Sequence, residues 1–156
     1  MAVTRGTNVQ VIGTLDDPES KNWVVAEGED CERGQLMALR ADGLAYLANA
    51  GVGPGQQMPA KGFASEAAVG GERVTLLRHT LMSGWAQDDP GRSLWVGTTD
   101  GECVDIAPDG AGDIQQCVGA CAGWPDDNAA STEGYIIVNI DDDWESVVDG
   151  GYLGIS

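Results

Sequence analysis

Three of the chain's four cysteines, Cys103, Cys117 and Cys121, fall inside "SLWVGTTDGECVDIAPDGAGDIQQCVGACAG", residues 93–123, among acids and glycines. Thiols in such a setting allow a metal site, a disulfide, or burial with no chemistry at all. A structural zinc site asks for paired Cys-x2–4-Cys knuckles or added histidines, and Cys117-x3-Cys121 is the one close pair here. On a straight strand both side chains lie on one face about 13 Å apart, at roughly 3.3 Å per residue, too far to share an ion. A disulfide through Cys31 and a metal held on a bent strand stay open as alternatives to three buried thiols.

The other reactive residue types form no constellation. His79 is the only histidine, at the end of "RVTLLRH", and no Gly-x-Ser-x-Gly or similar nucleophile motif accompanies it. A hydrolytic triad therefore has no visible parts, and His79 reads as a strand-end surface residue. Asp141, Asp142 and Asp143, and the pair Asp126 and Asp127 before Asn128, lack the Asp-x-Asp-x-Asp-Gly spacing of a calcium loop and read as solvated turns. "GVGPGQQ" at 51–57 has no lysine-bearing helix after it, so it is a connection and not a phosphate cradle. No catalytic residue, metal or cofactor is expected. Of the tryptophans at 23, 85, 95, 124 and 144, Trp95 reads as core, whereas Trp85 in "SGWAQDDPG" and Trp144 in "DDDWESV" lie between polar turns. These two are the expected interface aromatics, with a sugar-stacking face that includes Trp124 as the alternative.

The elements that must position these residues are short. With 156 residues, 42% of them hydrophobic, 23 glycines and six prolines, the chain fits one compact all-β domain rich in turns. From Gly34 it repeats itself. "GQLMALRADGLAYLA" at 34–48 lies over "RSLWVGTTDGECVDI" at 92–106 with an offset of 58, pairing Asp42-Gly43 with Asp100-Gly101. Asp-Gly between two apolar-alternating runs predicts a hairpin whose turn needs positive φ. "PAKGFASEA" at 59–67 lies over "QCVGACAGW" at 116–124, pairing Gly62 with Gly119, and the halves close on "GERVTLLRH" and "EGYIIVNI". Two related small β-units, 32–80 and 81–156, are thus expected in one barrel- or sandwich-like domain, preceded by an extended N-terminal arm at 1–31. Cys103, Cys117 and Cys121 fall opposite Ala45, Ala60 and Ala64 in this repeat, which favours packing, since a free cysteine behaves as a small buried hydrophobe.

Eight basic against 25 acidic residues give a net charge of −17, which repels polyanions and excludes nucleic acid as a partner. Only two of the bases are lysines, Lys21 and Lys61, a bias suited to concentrated salt, where self-repulsion is screened within a few ångströms. A halophilic origin is the expectation, and a melting temperature that ignores molar KCl would remove it. "MAVTRGTNVQ" shows no secretory leader, and no apolar run is long enough to span a bilayer.

The order Gly-x-x-Leu, Asp-Gly, then "GDIQQCVGACA" and a closing "YIIVN" resembles the small β-rich capsid decoration, or cement, proteins of tailed viruses. The resemblance covers residues 32–140 and rests on glycine-turn patterns. It implies a non-enzymatic protein, made in the host cytoplasm, that binds the outer capsid surface as a homotrimer and clamps neighbouring major capsid subunits. It also implies an N-terminal arm that adds strands to the capsid, here through Asn8, Val9, Val11 and Ile12. The acidic composition adds a haloarchaeal host. A receptor- or carbohydrate-binding module of a head fibre or tail is the alternative, because related modules occur there.

Overall fold

The computed structural model of the chain describes residues 3–14, 22–51, 58–87, 89–124, 133–147 and 153–155, and every regular element in them is a strand. In chain order these are β1 (Thr4–Thr14), β2 (Asn22–Val24), β3 (Leu36–Leu39), β4 (Ala45–Leu47), β5 (Gly62–Ala64), β6 (Arg73–Leu77) and β7 (His79–Ala86). They continue with β8 (Ser93–Val96), β9 (Cys103–Val104), β10 (Ile114–Gln115), β11 (Cys117–Cys121), β12 (Gly134–Asn139), β13 (Glu145–Val147) and β14 (Leu153–Ile155). The all-β expectation holds. Most of "GVGPGQQ" and the Asp126-Asp127-Asn128 turn lie outside the described residues.

Both expected hairpins form, β3 with β4 and β8 with β9. Their turns carry Gly43 at φ +81° and Gly101 at φ +75°, the left-handed backbone that Asp-Gly supplies. Around each hairpin the remaining strands add in the same sequence. The first unit forms a five-stranded sheet, β2-β6-β5-β3-β4, and the second a six-stranded one, β1-β7-β12-β11-β8-β9. With β1 set aside, the two orders are identical. The repeated glycine has a physical reason. A Cβ on Gly62 would meet Leu76 Cβ at 2.8 Å and Leu77 O at 3.0 Å, and one on Gly119 would meet Ile137 O at 2.1 Å. In both units this strand passes its neighbour too closely for a side chain.

The units differ in how the sheet ends meet. In the first, Val25, just past β2, forms a parallel bridge with Ala45 of β4, so the edge strands are joined by main chain. In the second, β1 lies antiparallel along β7, and its Arg5 reaches Glu102 beside β9 at 3.2 Å. Of the arm expected at 1–31, β1 is extended but laid on the body, and residues 22–31 belong to the first unit, where β2 pairs with β6 and Cys31 bridges Ala68. Val3 and Val9 bury their side chains in the core, and Gly84 permits the approach, since a Cβ there would stand 2.8 Å from Asn8 O. β10, β13 and β14 form a separate three-stranded sheet.

One large core serves both units. Leu36, Phe63 and Leu77 of the first pack with Trp85, Leu94 and Ile136 of the second, while a smaller cluster around Val25, Met37 and Val74 belongs to the first alone. Main chain also crosses the seam: the Leu36 amide donates to Gly101 O at 2.7 Å, and the Gly101 amide to Ala48 O at 2.8 Å. Gln116, fully buried, accepts from the Ala60 amide at 2.6 Å and donates to Ala60 O and Asp141 O, both at 2.8 Å. A buried amide with its hydrogen bonds made fixes this junction at little desolvation cost.

Candidate functional site

β1 is where the sequence placed its contact residues, and its two halves differ. Arg5 pairs with Trp85 and Gln10 with Ser83, so residues 6–9 bulge out opposite Gly84; from Gln10 the ladder runs on through Val11 with Met82 and, after a second register shift at Ile12, Gly13 with Leu81. The bulge turns Val9 inward, 5% exposed, and leaves Asn8 on the surface, where its Oδ1 accepts from Gln10 Nε2 at 2.9 Å. Val9 is thus a core anchor and not a contact residue. Val11 and Ile12 are open to solvent, at 36% and 52%. Beyond the bulge, β1 is the edge of its sheet.

Between the bulge and the Glu32-Arg33 turn runs an open groove of about 440 Å³. Arg5 crosses it, pairing with Glu32 at 3.0 Å and Glu102 at 3.2 Å, and Gln35 Nε2 donates to the same Glu102 oxygen at 3.3 Å. Arg33 Nη1 donates to Val9 O at 3.2 Å and its Nε to Ser65 O at 3.1 Å. The two guanidinium groups therefore tie the first half of β1 to both units and are already neutralised or engaged. The second half presents an apolar, unclasped edge. Such an edge is a template for another extended chain.

The expected aromatic contacts are redistributed. Trp85 is 1% exposed, edge-on to Phe63 with ring centroids 6.3 Å apart, and belongs to the large core with Cys103. It is a core residue, not an interface anchor. The polar turn after it in sequence begins only once β7 has carried the ring inward. Trp144 is half-buried against the large core, and Trp124 is also half-buried.

All four cysteines are free. Cys103 and Cys121 are buried, as is Cys31; burial pushes the Cys103 thiol up to about 12 and Cys121 to about 11, and raises Cys31 as well. Thiols held neutral in this way are poor nucleophiles and poor metal ligands. Cys117 departs from the expectation. A register shift between Cys117 and Gly119 turns it to the outer face, half-buried, while Cys121 faces the core, so the pair does not share a side. His79 is exposed at the first position of β7. Asp141, Asp142 and Asp143 form an exposed turn in which Arg78, 2.7 Å away, holds the Asp142 carboxyl below the usual carboxylate range. Among the described residues no group of three or more His, Cys, Asp and Glu is placed to hold a metal ion.

Sequence reasoning missed the Arg5 and Gln116 junctions, because neither residue lies in a pattern that predicts its partner. No family model matches the chain, and neither a curated protein nor a solved structure does.

Proposed function

We propose that this chain is a structural virion protein of a tailed virus with a haloarchaeal host, binding the outer surface of the capsid and bridging major capsid subunits. The observation that supports this reading is the outer edge of β1 from Gln10 to Thr14, with Val11 and Ile12 exposed on it. A capsid strand adding to that edge gains main-chain hydrogen bonds, and the two apolar side chains supply the register. Arg5, clasped to Glu32 and Glu102, keeps the strand on its own body while it is read. Many copies acting together stabilise a shell although each contact is modest. Trp85 is unavailable as a sugar platform, since its ring is enclosed. The test is twofold. Quantitative mass spectrometry of purified particles is expected to give a copy number near that of the major capsid protein; a handful of copies moves the role to a fibre or tail. Val11→Lys with Ile12→Lys, which blocks an edge without uncovering Trp85, is expected to abolish binding to stripped capsids; undiminished binding removes β1 from the contact.

A further inference from the structure

Four aspartates of the chain are followed by glycine, whose missing Cβ leaves the amide nitrogen open to the preceding side chain. Asp149-Gly150 lies outside the described residues, and the other three sit in turns of different chemistry. Asp42 accepts from the Leu44 amide at 3.0 Å and the Tyr46 hydroxyl at 2.5 Å, and the Gly43 amide donates to Arg40 O at 2.9 Å. Asp100 accepts from Asn49 Nδ2 at 2.7 Å, while the buried Gly101 donates to Ala48 O at 2.8 Å and accepts from the Leu36 amide at 2.7 Å. In both turns the carboxyl and the amide are each held by a partner of their own.

Asp109-Gly110 is arranged differently. Asp109 is exposed, and among the described residues no hydrogen bond or ion pair holds its carboxyl. The Gly110 amide donates to a carboxylate, Asp113 Oδ2, at 3.0 Å. Only glycine admits that approach, since a Cβ on residue 110 would stand 2.8 Å from the same oxygen. The main chain beyond is pinned. The Asp113 amide donates to Gly110 O at 2.9 Å, the Gly112 amide to Val147 O at 2.6 Å, and the Val147 amide to Asp113 O at 2.8 Å. A positioned nitrogen, a carboxylate on its proton and an unheld carboxyl thus meet in one turn.

From this geometry we infer that Asp109-Gly110 is a site of self-modification, at which Asp109 converts to isoaspartate with Asp113 as the base. Asp109 reacts as the carboxylic acid. The Gly110 nitrogen bonds to its Cγ as Asp113 Oδ2 takes the amide proton, and the Cγ hydroxyl leaves with that proton as water. A second water then opens the succinimide. Cleavage between the nitrogen and Cγ restores aspartate, whereas cleavage at the Asp109 main-chain carbonyl leaves isoaspartate and one more methylene in the backbone. That added length carries Gly110 away from Asp113 and loosens the turn that seats β13 beside β10. The reaction is internal to the chain and independent of any capsid contact.

The experiment is ageing of the full chain in mildly acidic molar KCl. Isoaspartate in each Asp-Gly peptide is read by methyl transfer from S-adenosylmethionine with an isoaspartyl methyltransferase and by electron-transfer fragmentation. In the folded chain Asp109 is expected to convert about tenfold faster than Asp42 or Asp100, one hydrogen bond's worth of barrier. In urea the three are expected to convert alike. Asp113→Asn keeps an acceptor for the Gly110 amide but cannot take its proton. It is expected to slow Asp109 about tenfold, less than a well-matched general base supplies, and to leave Asp42 and Asp100 unchanged. Circular dichroism checks that the variant folds, and the wild-type comparison of folded and urea-treated chain needs no variant. Equal rates at the three aspartates in the folded chain, or the same ranking with and without urea, overturn the inference. So does a folded Asp113→Asn chain that converts Asp109 at the wild-type rate.

Discussion

The two β-units share one strand order and end differently: the first joins its edges by the Val25–Ala45 bridge, and the second admits β1 at the same seam. The equivalent residues diverge accordingly. Trp23 pairs with Val74 in the first unit as Trp85 pairs with Gly134 in the second. Trp23 is half-buried; Trp85, under β1 and against Phe63, is enclosed. Ala45 completes a main-chain bridge, and its counterpart Cys103 instead lies in the large core that holds Trp85. A duplicated unit can thus keep its topology while one copy gives up direct closure for a larger, shared core.

The sharpest way to break this comparison is at the tryptophans. Trp85→Ala is expected to lose about 4 kcal/mol and Trp23→Ala about 1–2 kcal/mol, the difference between an enclosed and a half-covered ring. Urea denaturation in molar KCl measures both, and equal losses would mean that β1 adds no burial to the second unit. The repeated glycine comes next. Gly119→Ala, with a carbonyl in the path of its Cβ, is expected to cost about 3 kcal/mol, and Gly62→Ala about 1–2 kcal/mol. The Asp-Gly turns are separated more finely. Both need positive φ, but a Cβ on Gly43 meets nothing, while one on Gly101 meets Leu47 at 3.0 Å; Gly43→Ala is expected to cost about 1 kcal/mol and Gly101→Ala about 2 kcal/mol.

The smallest effect is a pH dependence confined to the first unit. The Tyr46 hydroxyl, 2.5 Å from Asp42, and then the Leu44 amide hold the Asp42 carboxyl below its ordinary value. A carboxyl depressed on folding adds stability that is complete above its unfolded value of about 3.9 and is lost as pH falls through the folded value. Tyr46→Phe is therefore expected to melt slightly below the wild type at neutral pH and to match it in acid. The corresponding residue of the second hairpin is Val104, so Val104→Ala should leave the pH profile's shape unchanged. A gap between wild type and Tyr46→Phe that persists undiminished in acid would assign the effect to packing of the ring.

Local chemistry decides the features that sequence makes legible. Asp42-Gly43 and Asp100-Gly101 announce their turns, and Gly62 and Gly119 mark the same close crossing from equivalent places. The equivalence of Trp23 and Trp85 is hidden because the segments linking them to Leu36 and Leu94 differ in length. Cys117 escapes prediction for a related reason: alternation assumes an unbroken ladder, and the register shift before Gly119 reverses the side of every residue ahead of it. The fate of β1 is illegible, since Arg5 finds Glu102 across 97 positions. Its edge residues Val11 and Ile12 are nonetheless recognisable as an apolar strand.

The placement of β1 has a consequence for the order of events during synthesis. Every ladder of the five-stranded sheet is made among residues 22–77, so the first unit has all its pairing partners early. β1 leaves the ribosome before any of them, yet its strand partner ends at Ala86 and its ionic clasp is Glu102. β1, made ahead of all of them, is among the last to be seated, and until then Val3 and Val9 travel uncovered on a growing chain.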